Sequence, residues 1–382
     1  MQIARGDAVA LARALVAIDS RNPTLVSGAP GESGCALFLA GVLREWGFAV
    51  ELLEQVPGRP NLVARIGPSG APSLMFAGHL DVVGVEGMTH PPFSPDIRDS
   101  RLYGRGSADM KGGIAAMCAA AASAITSKST KSVVIAAVVD EEYESLGMRA
   151  LLASGLRAEA AVLTEPTRLA ICPAHRGFVW MNVGIRGHAA HGSRYDIGVD
   201  AITHAGLLLA ELDVIERTRD GGLQHRLLGR GSLHASTIAG GTGMSTYPES
   251  CELTIERRTL PGETAEMAFS EIREAMARVK KRDPRFDASV TLTTAQAPSD
   301  VEVSAPIVTK LAAAIRAEGL QAGIEGLSAW TDAALLNEAG IPAICFGPGD
   351  IALAHSAEEW VPVDEIEKAT KVLARLATEW CG

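Results

Sequence analysis

No stretch of the 382-residue chain approaches the roughly 18 consecutive apolar residues that cross a bilayer. An excess of positive charge is missing too: the formal net charge is -10, which disfavours sequence-independent binding to nucleic acid. The six cysteines include no C-x-x-C pair, and the chain is too large to need covalent staples. They read as buried or free thiols in a reducing cytosol. The opening segment "MQIARGDAVALARALVAIDS" has the pattern of an amphipathic helix rather than a secretory leader. There is no H-E-x-x-H zinc helix, no G-x-S-x-G nucleophile elbow and no G-x-x-x-x-G-K-[ST] phosphate loop. The glycine-rich "YGRGSAD" and "GPGDIALAHS" do not match G-x-G-x-x-G opening a helix, so a dinucleotide enzyme is poorly supported. What remains is a cytoplasmic globular protein without nucleic-acid or membrane partners.

Hydrophobic residues make up 47% of the chain, enough for a substantial core and two domains. Helices are expected over about 6–19 and 33–46, the second closed by Gly47. The strand candidates "FAVELLE", "NLVARIG" and "SLMFAG" follow, then a small-residue helix over about 111–127. A strand at 133–139, a helix near 146–154 and the strand "AAVLTE" continue the alternation. That order predicts an α/β fold, a mainly parallel sheet with helices on both faces. Residues 177–295 read instead as β-α-β-β-α-β, the split pattern of a ferredoxin-like α+β sandwich. The expected domains are therefore 1–176 with 296–382, interrupted by 177–295.

Candidate ligands fall where strands end. In "VVIAAVVDEEYES" a run without alternation, a strand buried on both faces, is followed by Asp140, Glu141 and Glu142. "SLMFAGHLD" puts His79 and Asp81 past another strand, and "VLTEP" does the same for Glu165. Asp109 lies in the loop "YGRGSADMKGG", and His355 ends "AICFGPGDIALAHS". Loops leaving the carboxyl ends of parallel strands meet on one edge, where such folds bind ligands. Two histidines and several carboxylates gathered there make a metal site suited to zinc.

These residues carry a resemblance. "GHLDVV", "LYGRGSADMKGG", "VVDEEYESLGMRALL", "LTEPT", "RGHAAHGSRYDIGVDAI", "ERRTLPGE", "TDAALLNEAGIPAICFGPG" and "AHSAEEWVPVDEI" occur in the order and chemistry of the M20 metallopeptidases. The branch they most resemble contains the acetylornithine deacetylases and succinyl-diaminopimelate desuccinylases. The resemblance implies a zinc-exopeptidase-like catalytic domain with two Zn2+ per subunit, Co2+ being a possible substitute. It also implies an inserted ferredoxin-like lid through which the chain forms a homodimer.

Residue by residue, the resemblance implies that His79 and Glu165 bind one zinc, Glu142 and His355 the other, and Asp109 both. Asp81 would orient His79, and Glu141 would be the general base. In the lid, His191 rather than His188 matches the histidine that meets the oxyanion, sometimes across subunits. Arg258 matches an arginine that holds a substrate carboxylate, with Arg257 on the opposite strand face. Two dications against three ligand carboxylates leave a charge near +1, which favours water deprotonation and keeps Glu141 outside the metal shell. The implied activity is hydrolysis of a small N-acyl amino acid. The alternative is a carboxypeptidase or dipeptidase of the same scaffold, acting on short peptides or acyl-glutamate-like substrates. One position departs from the pattern: "GGTGMSTYP" has Ser245 where relatives often have Asn, a shorter group that bears on substrate choice rather than on hydrolase class. Asp140 receives no role beyond a solvated turn.

Overall fold

A computed structural model describes residues 2–70 and 73–382. The chain forms two compact units. The first runs through Pro173 and is completed by Val301–Glu325 and Thr331–Gly382; the second comprises Ala174–Asp300 with Gly326–Trp330.

The first unit opens with α1 (Ala8–Val16), capped by the Asp7 side chain, and α2 (Ser33–Glu45). Past α2 the chain turns at Gly47, whose φ of +91° costs glycine nothing, and the Phe48 N–H returns to the Leu43 carbonyl. Strands β1 (Ala49–Val56), β2 (Arg59–Ile66) and β3 (Ser73–His79) precede α3 (Gly112–Ala124), β4 (Ser132–Val138), α4 (Leu146–Ala153), β5 (Ala160–Leu163) and β6 (Ile171–His175). In the second unit the order is β7 (Gly177–Arg186), α5 (Ala201–Thr218), β8 (Ser232–Gly240), β9 (Ser250–Thr259), α6 (Ala265–Arg282) and β10 (Asp287–Gln296). The chain then returns to the first unit with α7 (Pro306–Ala317), α8 (Ala333–Glu338), β11 (Ala343–Cys345) and α9 (Val363–Cys381).

The strands of the first unit are ordered β1-β2-β4-β3-β5-β11-β6. Pairing is parallel across β4, β3, β5 and β11 and antiparallel at the flanks, so the fold is α/β with a mixed sheet of parallel centre. Every residue of β3 and β4 is buried, as their unalternating apolar sequences require of strands covered on both faces. Leu74, Phe76, Val133 and Ile135 join the main core, each contributing about 1.5–3 kcal/mol. The alanine-rich α3 packs with α1 and α9 in that core. At its start a Cβ on Gly113 would lie 2.0 Å from the Thr164 carbonyl oxygen. Only glycine lets the helix, with the loop before it, approach the end of β5 so closely.

The second unit is a four-stranded antiparallel sheet, ordered β8-β9-β7-β10, with α5 and α6 packed on one face. Most expected elements are present within a few residues. Strand β6 was not expected, nor was the small sheet formed by Asp96–Arg98, Arg101–Tyr103 and Trp360–Pro362. These pieces are too short to show a period. Among the described residues, no helix is long and apolar enough to cross a membrane.

Candidate metal centre

Buried apolar strands stop where acids and histidines begin, and the parallel centre of the sheet brings those stops together. His79 closes β3, the Glu141–Glu142 turn follows β4, and Glu165 follows β5. Asp109 sits in the kinked turn Ser107–Lys111 ahead of α3. His355 follows the short turn Ile351–Leu353. Their ligand atoms form two groups, His79–Asp109–Glu165 and Asp109–Glu142–His355, within each of which all atoms lie inside 4.8 Å of one another. Asp109 belongs to both. Its Oδ1 is 3.1 Å from His79 Nε2 and its Oδ2 is 3.5 Å from His355 Nε2. His355 Nε2 is also 3.0 Å from Glu142 Oε2.

The electrostatics are those of acids crowded away from water. Burial, with Asp109, Asp332 and Glu142 nearby, pushes Glu165 up to about 8. Burial likewise holds Glu141 well above the usual carboxylate range, with Glu165, Asp332 and Glu142 adding to the effect. Hydrogen bonds that its imidazole donates to the Asp109 and Glu142 carboxylates raise His355 to about 10. Asp109 goes the other way: the two imidazoles outweigh its burial and hold it low. Three carboxylates and two imidazoles that converge at such electrostatic cost fit a divalent-cation site.

The surrounding contacts explain how these side chains are held. His79 Nδ1 meets the backbone oxygen of Asp81 at 2.9 Å, while the nearer carboxylate oxygen of Asp81 stands 3.7 Å away. Asp81 therefore positions His79 mainly through its main chain. Its carboxylate accepts the backbone N–H groups of Glu141 and Glu142, both at 3.1 Å. Asp140 corrects the solvated-turn reading. It is fully buried at a φ of +68°, and its carboxylate accepts hydrogen bonds from Asn22 and from the Glu144 and Leu146 N–H groups.

Glu359 was not anticipated. It is fully buried, pairs with Arg105 at 2.7 Å, and accepts the N–H groups of Gly106, Ala108 and Asp109. One carboxylate thus shapes the loop that presents Asp109. Glu359→Gln keeps the size but offers an amide to those N–H groups. Titration of the metal-free variant should show affinity weakened about 10- to 100-fold. Asp332 was also missed: it is buried, and burial raises its carboxyl to about 7. Both residues lie inside stretches that carry the family resemblance, which was the available signal.

In the second unit, His191 is exposed, with Nδ1 2.9 Å from Ser193 Oγ. The next residue, Gly192, donates to the Ser245 carbonyl at 2.8 Å, so His191 and Ser245 share one loop pair. Exposed His188 pairs with Val199 instead. Arg258 stands near the far end of the ten-residue β9, paired with Glu256 at 2.7 Å and over the Phe178 ring at 5.3 Å. Arg257 points to the helix-covered face, buried against Glu263 and Glu271. At roughly 3.4 Å per residue, β9 separates Arg258 from the His191 loop by about 25 Å. The second unit does not bring those two together.

Residues 75–379 match the family model described as peptidase family M20/M25/M40. The chain belongs to that family. As an M20 protein it is a metallohydrolase of the peptidase and amidohydrolase type. It is 32% identical over 330 residues to an acetylornithine deacetylase from Myxococcus xanthus, covering 84% of each chain. Aminopeptidase PepT from Bacillus cereus ATCC 10987 superposes with a TM-score of 0.79 at 21% identity, covering 99% of both chains. YXEP from Bacillus subtilis, described as a dinuclear metal binding peptidase, gives 0.73 at 15% identity over 98% of this chain and 97% of its own. The two solved structures support the fold of this M20 chain.

Proposed function

We propose that this M20 chain is a dizinc amidohydrolase that removes the acyl group from a small N-acyl amino acid. The observation that carries the reading is Asp109, shared between two imidazole–carboxylate groups, with Glu141 adjacent to Glu142 and left over as a base. Bound there, two zinc ions, or cobalt in their place, supply Lewis acidity to the scissile carbonyl and make water more acidic. Glu141 takes a proton from the attacking water and delivers it to the departing nitrogen. Asp81 fixes the direction of that carboxylate through the N–H groups of residues 141 and 142. The lid contributes recognition. Arg258 pairs with the substrate carboxylate and His191 donates to the developing oxyanion.

Because β9 keeps Arg258 and His191 apart, one lid does not serve both ends of a small substrate. A homodimer in which a second copy supplies His191, with Ser245 beside it, meets both requirements. Arg258→Ala should raise KM about 10- to 100-fold for carboxylate-bearing substrates, with little change for the corresponding amides. Steady-state kinetics on such a matched pair checks this.

The deciding experiment joins metal analysis to an activity panel of N-acetyl, N-succinyl and N-formyl amino acids plus dipeptides. Two metals per chain with turnover of an acyl amino acid is the expected result. Preference for dipeptides would move the assignment to a peptidase of the same scaffold. Less than one metal and no amide hydrolysis after zinc or cobalt loading would remove the proposal.

A further inference from the structure

The polar group that joins the buried acids behind the metal centre is an uncharged one. Asn22 lies in the loop after α1 and is fully buried. The loop is laced to the end of β3: Asn22 N–H donates to the Val82 carbonyl at 2.9 Å, and Ser20 Oγ to the Leu80 carbonyl at 2.7 Å. The Asn22 amide nitrogen donates to two carboxylates at once, Asp81 Oδ2 at 2.9 Å and Asp140 Oδ1 at 3.1 Å. Its amide oxygen accepts the Thr24 N–H at 2.9 Å, so both donors and the acceptor are in use. Turning the amide over would set its oxygen against two carboxylates.

Behind Asp140 the chain of contacts continues. Arg59 Nη2 lies 2.9 Å from Asp140 Oδ1, and Arg59 Nε donates to Glu32 Oε2 at 2.9 Å. Glu32, Asp81 and Asp140 are all fully buried, and Arg59 is nearly so. The series Glu32, Arg59, Asp140, Asn22, Asp81 therefore ends on the backbone N–H groups of Glu141 and Glu142. Asp140 starts that turn in the left-handed region, an uncommon conformation for a residue with a side chain, held here by contacts from both directions.

We infer that Asn22 and Arg59 are positioning residues for the reaction: a carboxamide clamped between Asp81 and Asp140, backed by the Arg59–Glu32 pair, sets the direction of the Glu141 carboxylate. The series holds three buried acids and a single guanidinium, which meets Glu32 and Asp140. The Asn22 amide is what allows Asp81 and Asp140 to approach one another. Without it, two like charges lose their shared donor, and each is left under-bonded in a buried setting. The turn that Asp140 starts is hydrogen-bonded to both carboxylates, so a change in either moves it, and it carries Glu141. A displacement near 1 Å at a reacting group costs on the order of 100-fold in rate.

The inference rests on Glu141 being the base, and the test separates the two. Wild-type protein without amide hydrolase activity removes the proposed function. Active wild type with an unaffected Asn22→Ala variant removes only this inference. In zinc-saturated Asn22→Ala, kcat should fall about 10- to 100-fold with KM within about twofold and metal content as in wild type. Arg59→Lys keeps the charge facing Asp140 but loses the two-pronged contact, and should show a smaller fall in kcat with the same unchanged KM. A purely structural role would lower the melting temperature and leave kcat per folded molecule alone, which would overturn the inference. A kcat restored to wild type by further zinc would overturn it too, because the network would then be serving the metal and not Glu141. If Asn22→Ala does not fold, Arg59→Lys decides on the same criteria.

Discussion

Glu141→Gln should turn over at least about 1,000-fold more slowly than wild type while still binding its metals and its substrate. The glutamine has the shape of the acid and cannot accept a proton. On the proposed mechanism the base is separate from the ligands, because consecutive residues leave a chain in different directions. Glu142 faces His355 and Asp109, whereas Glu141 appears in neither ligand group. The comparison that gives the result meaning is Glu142→Gln, which should lower the occupancy of one metal and lose activity for that reason. Metal analysis beside kcat distinguishes them. A Glu141→Gln enzyme that works at a tenth of the wild-type rate or better would rule the base assignment out.

Stripping the metals should abolish turnover, and refilling the site near neutral pH should release protons. In the metal-free protein His355 is raised to about 10, Glu165 to about 8, and His79 well above the ordinary imidazole range. His355 and Glu165 therefore hold protons at pH 7 that cations must displace. Calorimetry in two buffers of different ionisation enthalpy should give apparent binding heats that differ by the protons released. The same shifts fix the sign of a stability effect. Each group binds its proton more tightly folded than unfolded, so its contribution is complete below the unfolded pKa and lost as pH climbs through the folded one. For His355 the loss runs from about 6.5 to about 10, and for Glu165 from about 4.5 to about 8. Chelator-treated protein should thus melt at progressively lower temperature from pH 6 to pH 9, and zinc should flatten that slope. A metal-free protein whose melting point rises over the same range would contradict the electrostatics.

The convergence of the candidate ligands was legible because they sit at the ends of strongly encoded strands. Runs such as "SLMFAG" and "VVIAAVV" have one stable fate, burial in a sheet, and parallel pairing then gathers whatever follows them on one edge. Asp140 was misread for the opposite reason. An acid after a strand looks like a turn unless its partners are known, and those partners, Asn22 and Arg59, come from distant loops and strands. Glu359 is separated from the loop it shapes by 250 positions or more in sequence. Nothing local to a carboxylate reports that it will accept three backbone N–H groups. The separation of Arg258 from His191 likewise follows only from the ten-residue span of β9.

The two ligand groups are also unequal in their access to water. His79, Asp109 and Glu165 are almost wholly buried, whereas the His355 side chain is 52% exposed. A dilute chelator therefore meets the His355 group first. With an ion on each group, as proposed, partially stripped preparations should be dominated by molecules carrying one ion on the inner group, rather than by a random mixture of singly loaded forms. On the dizinc proposal, metal exchange would follow an order set by burial.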